Sequence, residues 1–322
     1  MRILELGFMV DNFVFRFFLT GFAFLFLGCG DCASPGDSGG SSSLGDEGDS
    51  LHFVLPSIPS VISDVEGRRE YLALHYWDNF DFARLDFLAH DSLMGVALGG
   101  YIQILTMTTP EVVAQSLDSV LSRSLSLGYD SFSRFTSGLE HYLYNPNSPV
   151  RNEDLYLCVL RFTVGAAALD DIYKVRSRSQ LEMVLKNRIG DRAFDFGFVD
   201  HLGQSSTLYS LRSSYTILFF NTPDCDDCSR VKSYIGGSLV FTGMVDSLEL
   251  TVLGVYTGSD YSLWFDSSYP SLILNTYDSR GDITRDRLYD LRALPTLYLL
   301  DQHKRVILKD CSIEAIDAYF CK

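Results

Sequence analysis

The chain has 322 residues, of which 47% are hydrophobic and 21% are charged. This length allows two ordinary domains, and the apolar content is ample for packed cores. The formal net charge of −15 argues against nucleic acid as a partner, because phosphates require Lys and Arg to neutralise them. It is more simply a solubility feature of a secreted protein. Seven cysteines are too few for a fold built on disulfides.

The amino terminus has the pattern of a lipoprotein signal. Arginines precede an apolar run, residues 17–27, that is too short to span a bilayer but suits a signal-peptide core. The run leads into Gly28-Cys29, which resembles the lipobox of bacterial lipoproteins, where a small residue precedes the acylated cysteine. We therefore predict a lipoprotein signal peptide and lipobox over residues 1–29, with a lipid on Cys29. This predicts a cell-envelope protein, either periplasmic or on the outer membrane.

Two alternatives stay open for this segment, namely an ordinary cleaved signal and a short anchor. Cys32 is a weaker candidate for lipidation, because the aspartate before it is a poor cleavage position. Glu5 and Asp11 are unusual in a leader, so Met9 is a second candidate start.

Residues 30–50 have the composition of a flexible tether. They are rich in Gly, Ser and acidic residues and cannot bury a core. Such a tether would hold the folded part of the chain away from a membrane surface.

Residues 51–189 have the apolar spacing of helices. Asp64 is a candidate cap for the first helix, and Thr109-Pro110-Glu111 is typical of a helix start. The aromatic cluster Tyr76, Trp77 and Phe80 is predicted to pack inward. Further helices are predicted over residues 131–144, 152–168 and 177–188. The region is therefore predicted to be a separate all-α domain.

A strand, a short break and two cysteines at a helix start follow one another in residues 215–235. Residues 215–220 form an apolar run of strand length, and Asn221-Thr222-Pro223-Asp224 break it. Cys225-Asp226-Asp227-Cys228 then opens a segment of helical spacing, which is the setting of a redox motif. Because residues three apart share one face of the first helical turn, the two sulfurs can join without moving the backbone.

The position of each cysteine predicts its role. Cys225, at the helix start, lies where free backbone N–H groups and the positive end of the helix dipole favour a thiolate. Cys228, one turn in, would be more buried and would act as the resolving thiol. Asp226 and Asp227 would modulate the pair, since nearby carboxylates disfavour a thiolate. We therefore predict a less oxidising dithiol than one flanked by His or Lys.

The dithiol resembles the active site of the thioredoxin-like family, and two further motifs extend the likeness. Leu294-Pro295 and the strand after it resemble that family's cis-proline motif. Upstream, residues between 190 and 208 resemble the lead-in of the membrane-tethered branch related to alkyl-hydroperoxide reductases. The resemblance covers about residues 190–322 and implies an α/β thioredoxin-like sandwich. It also implies that cis-Pro295 lies against the sulfurs and presents backbone to an extended substrate.

The chain departs from the family pattern at two points. The Trp that usually precedes the first cysteine is replaced by Pro223-Asp224, which affects the edge where partners are recognised. Residues 215–220 contain no acid, so the buried carboxylate that relays protons in many relatives has no counterpart there.

The helical region also resembles a known domain. Residues 71–80 and 144–149 resemble an uncharacterised helical domain that precedes thioredoxin-like domains in bacterial lipoproteins. The likeness indicates architecture and leaves the mechanism open.

Within residues 190–322 the order of elements suits the thioredoxin-like fold. A lead-in hairpin is predicted over residues 194–199 and 206–209, and a strand over residues 250–256, parallel to the strand before the cysteines. Residues 260–292 are predicted as a loop with a short helix ending near Leu291. The remaining predicted elements are strands over 296–301 and 305–309 and a helix over 313–320.

The cysteines also have possible functions other than redox chemistry. Cys225 and Cys228 could form an inert disulfide or half of a zinc site, but zinc usually needs four ligands and the sequence has no close His pair. Cys158 is predicted to be a small buried hydrophobe. Cys311 and Cys321 bracket a helix, about 15 Å apart by its rise, so each is expected to be free or buried. No metal is predicted.

These patterns together predict a lipid-anchored, extracytoplasmic thiol–disulfide oxidoreductase acting on protein thiols and disulfides without a dissociable cofactor. Cys225 would be the nucleophile, Cys228 the resolving thiol and Pro295 the dock for substrate backbone. The alternative is a tethered binding or adaptor module that keeps the thioredoxin fold without turnover. A peroxidase is a third option, in which Thr222 would assist the cysteine, although no arginine is assigned to it.

Overall fold

A computed structural model describes residues 52–321 of the chain. The predicted lipidation site Cys29, the signal peptide and the tether lie outside these residues. No helix within residues 52–321 has both the length and the apolar content that crossing a bilayer requires. A helical region comes first, and a mixed sheet flanked by helices follows.

Capping side chains set the start of three helices in the first region. The Asp64 carboxylate accepts a hydrogen bond from the Gly67 N–H at 2.6 Å. Thr109 and Asn152 cap in the same way, and Pro110 occupies the first turn after Thr109. In the described residues, the helices of this region are α1 (Val65–His75), α2 (Leu85–Leu88), α3 (Asp91–Leu105), α4 (Pro110–Ser126), α5 (Tyr129–Leu143), α6 (Glu153–Gly165) and α7 (Asp171–Val184).

Aromatic side chains form the centre of the helical core. Tyr76, Trp77 and Phe80 are buried, which confirms the prediction that this cluster packs inward. The Trp77 ring meets the Phe135 ring edge to face, with 5.1 Å between centroids, an arrangement that aromatic pairs favour. The core therefore joins the turn after α1 to α5.

Helices α2 and α3 are absent from the sequence prediction, and α7 differs from it in its bounds. The prediction lacks α3, because this helix is apolar around much of its circumference and contains glycines, which weaken the helical signal. Gly100 serves close packing, since a Cβ there would lie 2.6 Å from the Tyr76 hydroxyl oxygen. The other difference is α7, which begins at Asp171 rather than at residue 177 and ends at Val184.

The second region is built on seven strands, counted over residues 52–321. They are β1 (Gly197–Asp200), β2 (Ser205–Thr207), β3 (Tyr215–Asn221), β4 (Leu250–Tyr256), β5 (Ile273–Tyr277), β6 (Thr296–Asp301) and β7 (Val306–Lys309). They form one sheet in the order β2-β1-β5-β4-β3-β6-β7. β3 is parallel to β4 and antiparallel to β6. It is thus paired on both edges, and all its residues after Tyr215 are buried.

Helices cover both faces of this sheet. In the described residues they are α8 (Asp226–Gly237), α9 (Leu239–Asp246), α10 (Tyr261–Phe265), α11 (Asp282–Arg285) and α12 (Ile313–Phe320). Alternate residues of β3 point to opposite faces, as a period of two requires. Ile217 and Phe219 pack in one core with α8 and α12, and Leu218 and Phe220 pack in the other core.

The predicted elements of this region are confirmed in part. Strands β4 and β6 and helix α12 have the predicted bounds. The lead-in hairpin is shorter than predicted, because a 3₁₀ turn over Leu208–Ser210 replaces the end of its second strand. The prediction of a loop with a short helix over residues 260–292 is wrong in part, since β5 lies within this segment and the short helix α11 ends at Arg285 rather than near Leu291.

Candidate active site

The two cysteines of the CxxC motif lie where β3 gives way to α8. Cys225 is the N-cap of α8, with extended backbone, and its sulfur accepts a hydrogen bond from the Cys228 N–H at 3.1 Å. Cys225 is half-buried and Cys228 is buried, and both are free thiols. The accessible sulfur is thus the one at the helix start.

Burial raises the pKa of the Cys228 thiol to about 12, and the hydrogen bond with Cys225 adds to the rise. A backbone hydrogen bond from Thr222 and the charge of Lys232 act in the opposite direction. Cys228 is therefore a protonated thiol near neutral pH.

A proline faces the accessible sulfur. The peptide bond between Leu294 and Pro295 is cis. The Cys225 thiol donates to the Leu294 carbonyl oxygen, with 3.8 Å between sulfur and oxygen. The backbone before β6 and the start of α8 thus form two sides of one site.

The acidic residues around the sulfurs, Asp224, Asp226 and Asp227, are exposed, and two of them contact neighbouring side chains. Asp227 forms an ion pair with Arg230, one turn along α8, so part of the negative charge beside the sulfurs is compensated. The Thr222 hydroxyl donates to the Asp224 carboxylate at 2.5 Å. Thr222 therefore does not offer its hydroxyl to Cys225 in the way that the peroxidase option would need.

A buried lysine lies on the same face of α8 as Cys228, four residues further on. Lys232 is only 8% exposed, and its ammonium lies 4.3 Å from the centroid of the Tyr269 ring. Tyr269 in turn donates to the Asn221 side chain at 2.5 Å. Burial lowers the pKa of Lys232. Lys232 is not among the site residues predicted from the sequence, although its spacing of four residues from Cys228 places it on the same face of the helix.

A polar cleft of about 160 Å³ opens beside Pro295. Asp227, residues 294–296 and residues 310–311 line it from the sheet region. Pro146, Asn147 and Arg151 of the helical region line the opposite side. The cleft thus combines groups from both regions next to the dithiol.

The other cysteines within residues 52–321 lie apart from this pair in the sequence and are free. Cys158, predicted to be a small buried hydrophobe, packs against the helical core but is only half-buried on α6, and its thiol donates to the Asp154 carbonyl oxygen. Cys311 is half-buried and Cys321 is exposed. In the described part of the chain, no three His, Cys, Asp or Glu side chains form a group that could hold a metal ion.

A dithiol at the start of the helix that follows a central strand, facing a cis-proline before the antiparallel neighbour strand, defines a thioredoxin-like protein. The crystal structure of a thioredoxin-like protein from Bacteroides caccae matches this chain at 34% identity with a TM-score of 0.77. The match covers 84% of this chain and 98% of that chain. The chain belongs to the thioredoxin-like family. A domain of unknown function (DUF5106) matches residues 32–187, ahead of the thioredoxin-like region.

Further solved structures match over a smaller part of the chain. A conserved protein of unknown function from Bacteroides fragilis is 37% identical, with a TM-score of 0.40, and the match covers 41% of this chain and 98% of that chain. The thioredoxin domain of a thiol-disulfide oxidoreductase from Bacteroides vulgatus is 18% identical, with a TM-score of 0.34 and the same coverage. A comparison with curated proteins found no match.

These matches confirm two predictions made from sequence. The α/β thioredoxin-like fold of the C-terminal region is confirmed by the Bacteroides caccae structure. The helical domain in front of it is confirmed by the family match. The roles of Cys225, Cys228 and Pro295 stay predictions.

Proposed function

We propose that the protein is a thiol–disulfide oxidoreductase that exchanges disulfides with protein partners, anchored by a lipid on Cys29 in the cell envelope. The observation that carries the redox proposal is the pairing of a half-buried Cys225 sulfur with a buried Cys228 thiol, opposite the Leu294–Pro295 backbone. This arrangement exposes one sulfur to a partner and keeps the second within reach of it.

The proposed reaction has two balanced steps. The Cys225 thiolate attacks one sulfur of a partner disulfide, which forms a mixed disulfide and releases the other partner sulfur as a thiolate that takes up a proton. Cys228 then loses its proton and attacks the Cys225 sulfur, which breaks the mixed disulfide and releases the second partner thiol. The partner disulfide is reduced to two thiols, and the protein dithiol is oxidised to a disulfide. The same steps in reverse oxidise a dithiol partner.

Protection of the resolving thiol supports this order of steps. Because burial raises the pKa of Cys228 to about 12, its thiolate is scarce and does not compete with Cys225 for a partner disulfide. A mixed disulfide on Cys225 then places a reactive sulfur next to Cys228. Cys225, the accessible member, is then the first to meet a partner. No dissociable cofactor enters either step.

Reduction of insulin disulfides by dithiothreitol tests the redox proposal. Wild type should accelerate the reaction, Cys225→Ser should abolish the acceleration, and the exposed Cys321→Ser should leave it unchanged. Equal rates for wild type and Cys225→Ser would favour the binding or adaptor module instead. Cys228→Ser should accumulate mixed disulfides with its partners, which mass spectrometry of the trapped species would identify.

The anchor is tested separately. Expression of the chain in a bacterium with a lipoprotein pathway should place the wild type in the membrane fraction, with an acylated Cys29 in the mass spectrum. Cys29→Ser should release the protein to the soluble fraction, and Cys32→Ser should not. Retention of Cys29→Ser in the membrane fraction without acylation would leave an uncleaved anchor as the better description.

A further inference from the structure

We infer that the loop of residues 144–151 forms the second wall of the cleft in which a protein disulfide binds, so that the helical region selects which partners reach the dithiol. This inference rests on the proposed redox function and goes beyond it by assigning a role to the domain of unknown function. Two observations support it: side chains at both ends of the loop bind the sheet region, and the residues between those ends line the cleft.

One end of the loop holds the segment that precedes Pro295. The guanidinium of Arg292 stacks on the Tyr144 ring, 3.4 Å from its centroid, and donates to the Tyr144 carbonyl oxygen at 3.2 Å. The Tyr144 hydroxyl donates to Asp290 at 3.3 Å. Arg292 also binds the Asp290 carboxylate through two nitrogens at 2.8 Å. Because such two-point pairs fix orientation, the approach to the cis-proline is fixed against the helical region.

The other end of the loop is held by a network of four charges, two from each region. Arg151 donates to Asp310 at 2.6 Å and to Glu153 at 3.0 Å. Lys309 donates to the second oxygen of Glu153 at 2.8 Å. The Arg151 and Asp310 side chains are 18% and 12% exposed, so water screens the network little. This end of the loop thus contacts the end of β7, which follows Pro295 in the sequence, whereas the other end contacts Arg292, which precedes it.

Between these two ends the loop lines the cleft beside Pro295. Pro146 and Asn147 line one side, and Pro295 and Asp227 line the other. The Asn147 N–H donates to the Asn145 side chain at 3.0 Å, which fixes the turn that presents the exposed Asn147 side chain. The wall is therefore ordered before a partner arrives.

The size of the cleft indicates what it accepts. Its volume of about 160 Å³ is below the roughly 300–1,000 Å³ of sites that enclose a small molecule or cofactor. It suits a side chain of an extended segment that runs past Pro295. The two arginines of its lining already pair with Asp310 and Asp290, and Asp227 pairs with Arg230, so fit to the wall, rather than net charge, would discriminate between partners.

A comparison of two disulfide substrates tests the inference. Asn147→Tyr, which places a bulky ring in the cleft, should lower kcat/KM for insulin at least tenfold. It should leave the rate with hydroxyethyl disulfide, which is too small to need the wall, within twofold of wild type. Gln103→Tyr, an exposed position on α3 outside the lining, should change neither rate. Loss of both activities, or of neither, in Asn147→Tyr would overturn the inference.

A second measurement does not depend on that variant. Cys228→Ser, trapped as a mixed disulfide with an insulin B-chain peptide, should show at least fivefold slower amide hydrogen exchange at residues 145–151, and no change in α7. Unchanged exchange in the loop would overturn the inference. An absence of wild-type activity on both disulfides would instead refute the proposed redox function, so the two failures are distinguishable.

Discussion

The buried resolving thiol makes a quantitative prediction about alkylation. In the reduced native protein, iodoacetamide should modify Cys225 and leave Cys228 almost untouched, because the thiolate is the reacting species. With a pKa of about 12, about one Cys228 in ten thousand is ionised at pH 8. A thiol with the ordinary pKa of about 8.5 is about one-quarter ionised at that pH. The expected retardation from ionisation alone is therefore more than about a thousandfold.

The raised pKa of Cys228 also predicts how its alkylation rate changes with pH. The Cys228 alkylation rate should keep rising about tenfold per pH unit from pH 7 to pH 10, since its thiolate fraction is far from saturation. In guanidinium-unfolded protein the same cysteine should react fast, with a rate that levels off above about pH 8.5. Mass spectrometry of peptides after timed quenching measures both rates, and the exposed Cys321 serves as an internal standard.

One result would refute this reasoning. If Cys228 in native protein reacts at pH 8 within tenfold of its rate in unfolded protein, then burial does not hold it protonated. The order of steps in the proposed cycle would then lose its physical basis. Cys225→Ala should be measured in parallel, because it removes the side-chain hydrogen bond with Cys228, which is the second cause of the raised pKa.

Three further predictions concern charge. Replacing Asp226 and Asp227 by Asn should make the dithiol more oxidising by about 10–30 mV, measured against glutathione, because two negative charges beside the thiolate are removed. Lys232→Met should stabilise the fold by about 1–2 kcal/mol in thermal or denaturant unfolding, because no carboxylate within residues 52–321 pairs with this buried ammonium. Arg151→Met should destabilise it by about 2–4 kcal/mol, because Asp310 is left buried without its partner.

Each of these variants has a matched control. Asp118→Asn, exposed on α4, should leave the reduction potential unchanged. Lys174 is as buried as Lys232, but its charge lies near Asp171, so Lys174→Met should not stabilise. Arg178→Met breaks a pair that is 47% and 82% exposed and should shift stability by less than about 0.5 kcal/mol. The structural reasoning would be contradicted if Lys232→Met lowered the stability. It would also be contradicted if Arg151→Met destabilised the protein no more than the surface control Arg178→Met does.

The sequence predicts best those features that short-range patterns determine. The capped start of α4, the strand β4 and the helix α12 follow from local spacing and caps, and so does the placement of Cys225 at a helix start. Strand β5 is not predicted, because the polar residue Asn275 interrupts its apolar pattern. The Asn275 side chain accepts a hydrogen bond from the Trp264 indole at 2.8 Å. A hydrogen bond of that kind overrides the simple alternation of a half-buried strand.

The cleft escapes the prediction for a different reason. Tyr144 and Arg292 meet across 148 positions of the chain, and nothing local in either segment indicates the other. The likeness of residues 144–149 to a known helical domain locates the segment without giving its contact. By contrast, the position of Lys232 next to the dithiol can be predicted from a helical wheel of α8, since residues four apart lie on the same face of a helix.

The four-charge network between α6 and β7 also affects how this chain can be divided. A fragment beginning near residue 190 would keep Lys309 and Asp310 but lose Glu153 and Arg151. The two remaining charges would then be unpaired at the end of β7, on a surface newly exposed to solvent. The intact protein should therefore melt in one cooperative transition despite its two architectures. Exchanging the helical half between homologues would succeed when the complementary residues on β7 travel with it.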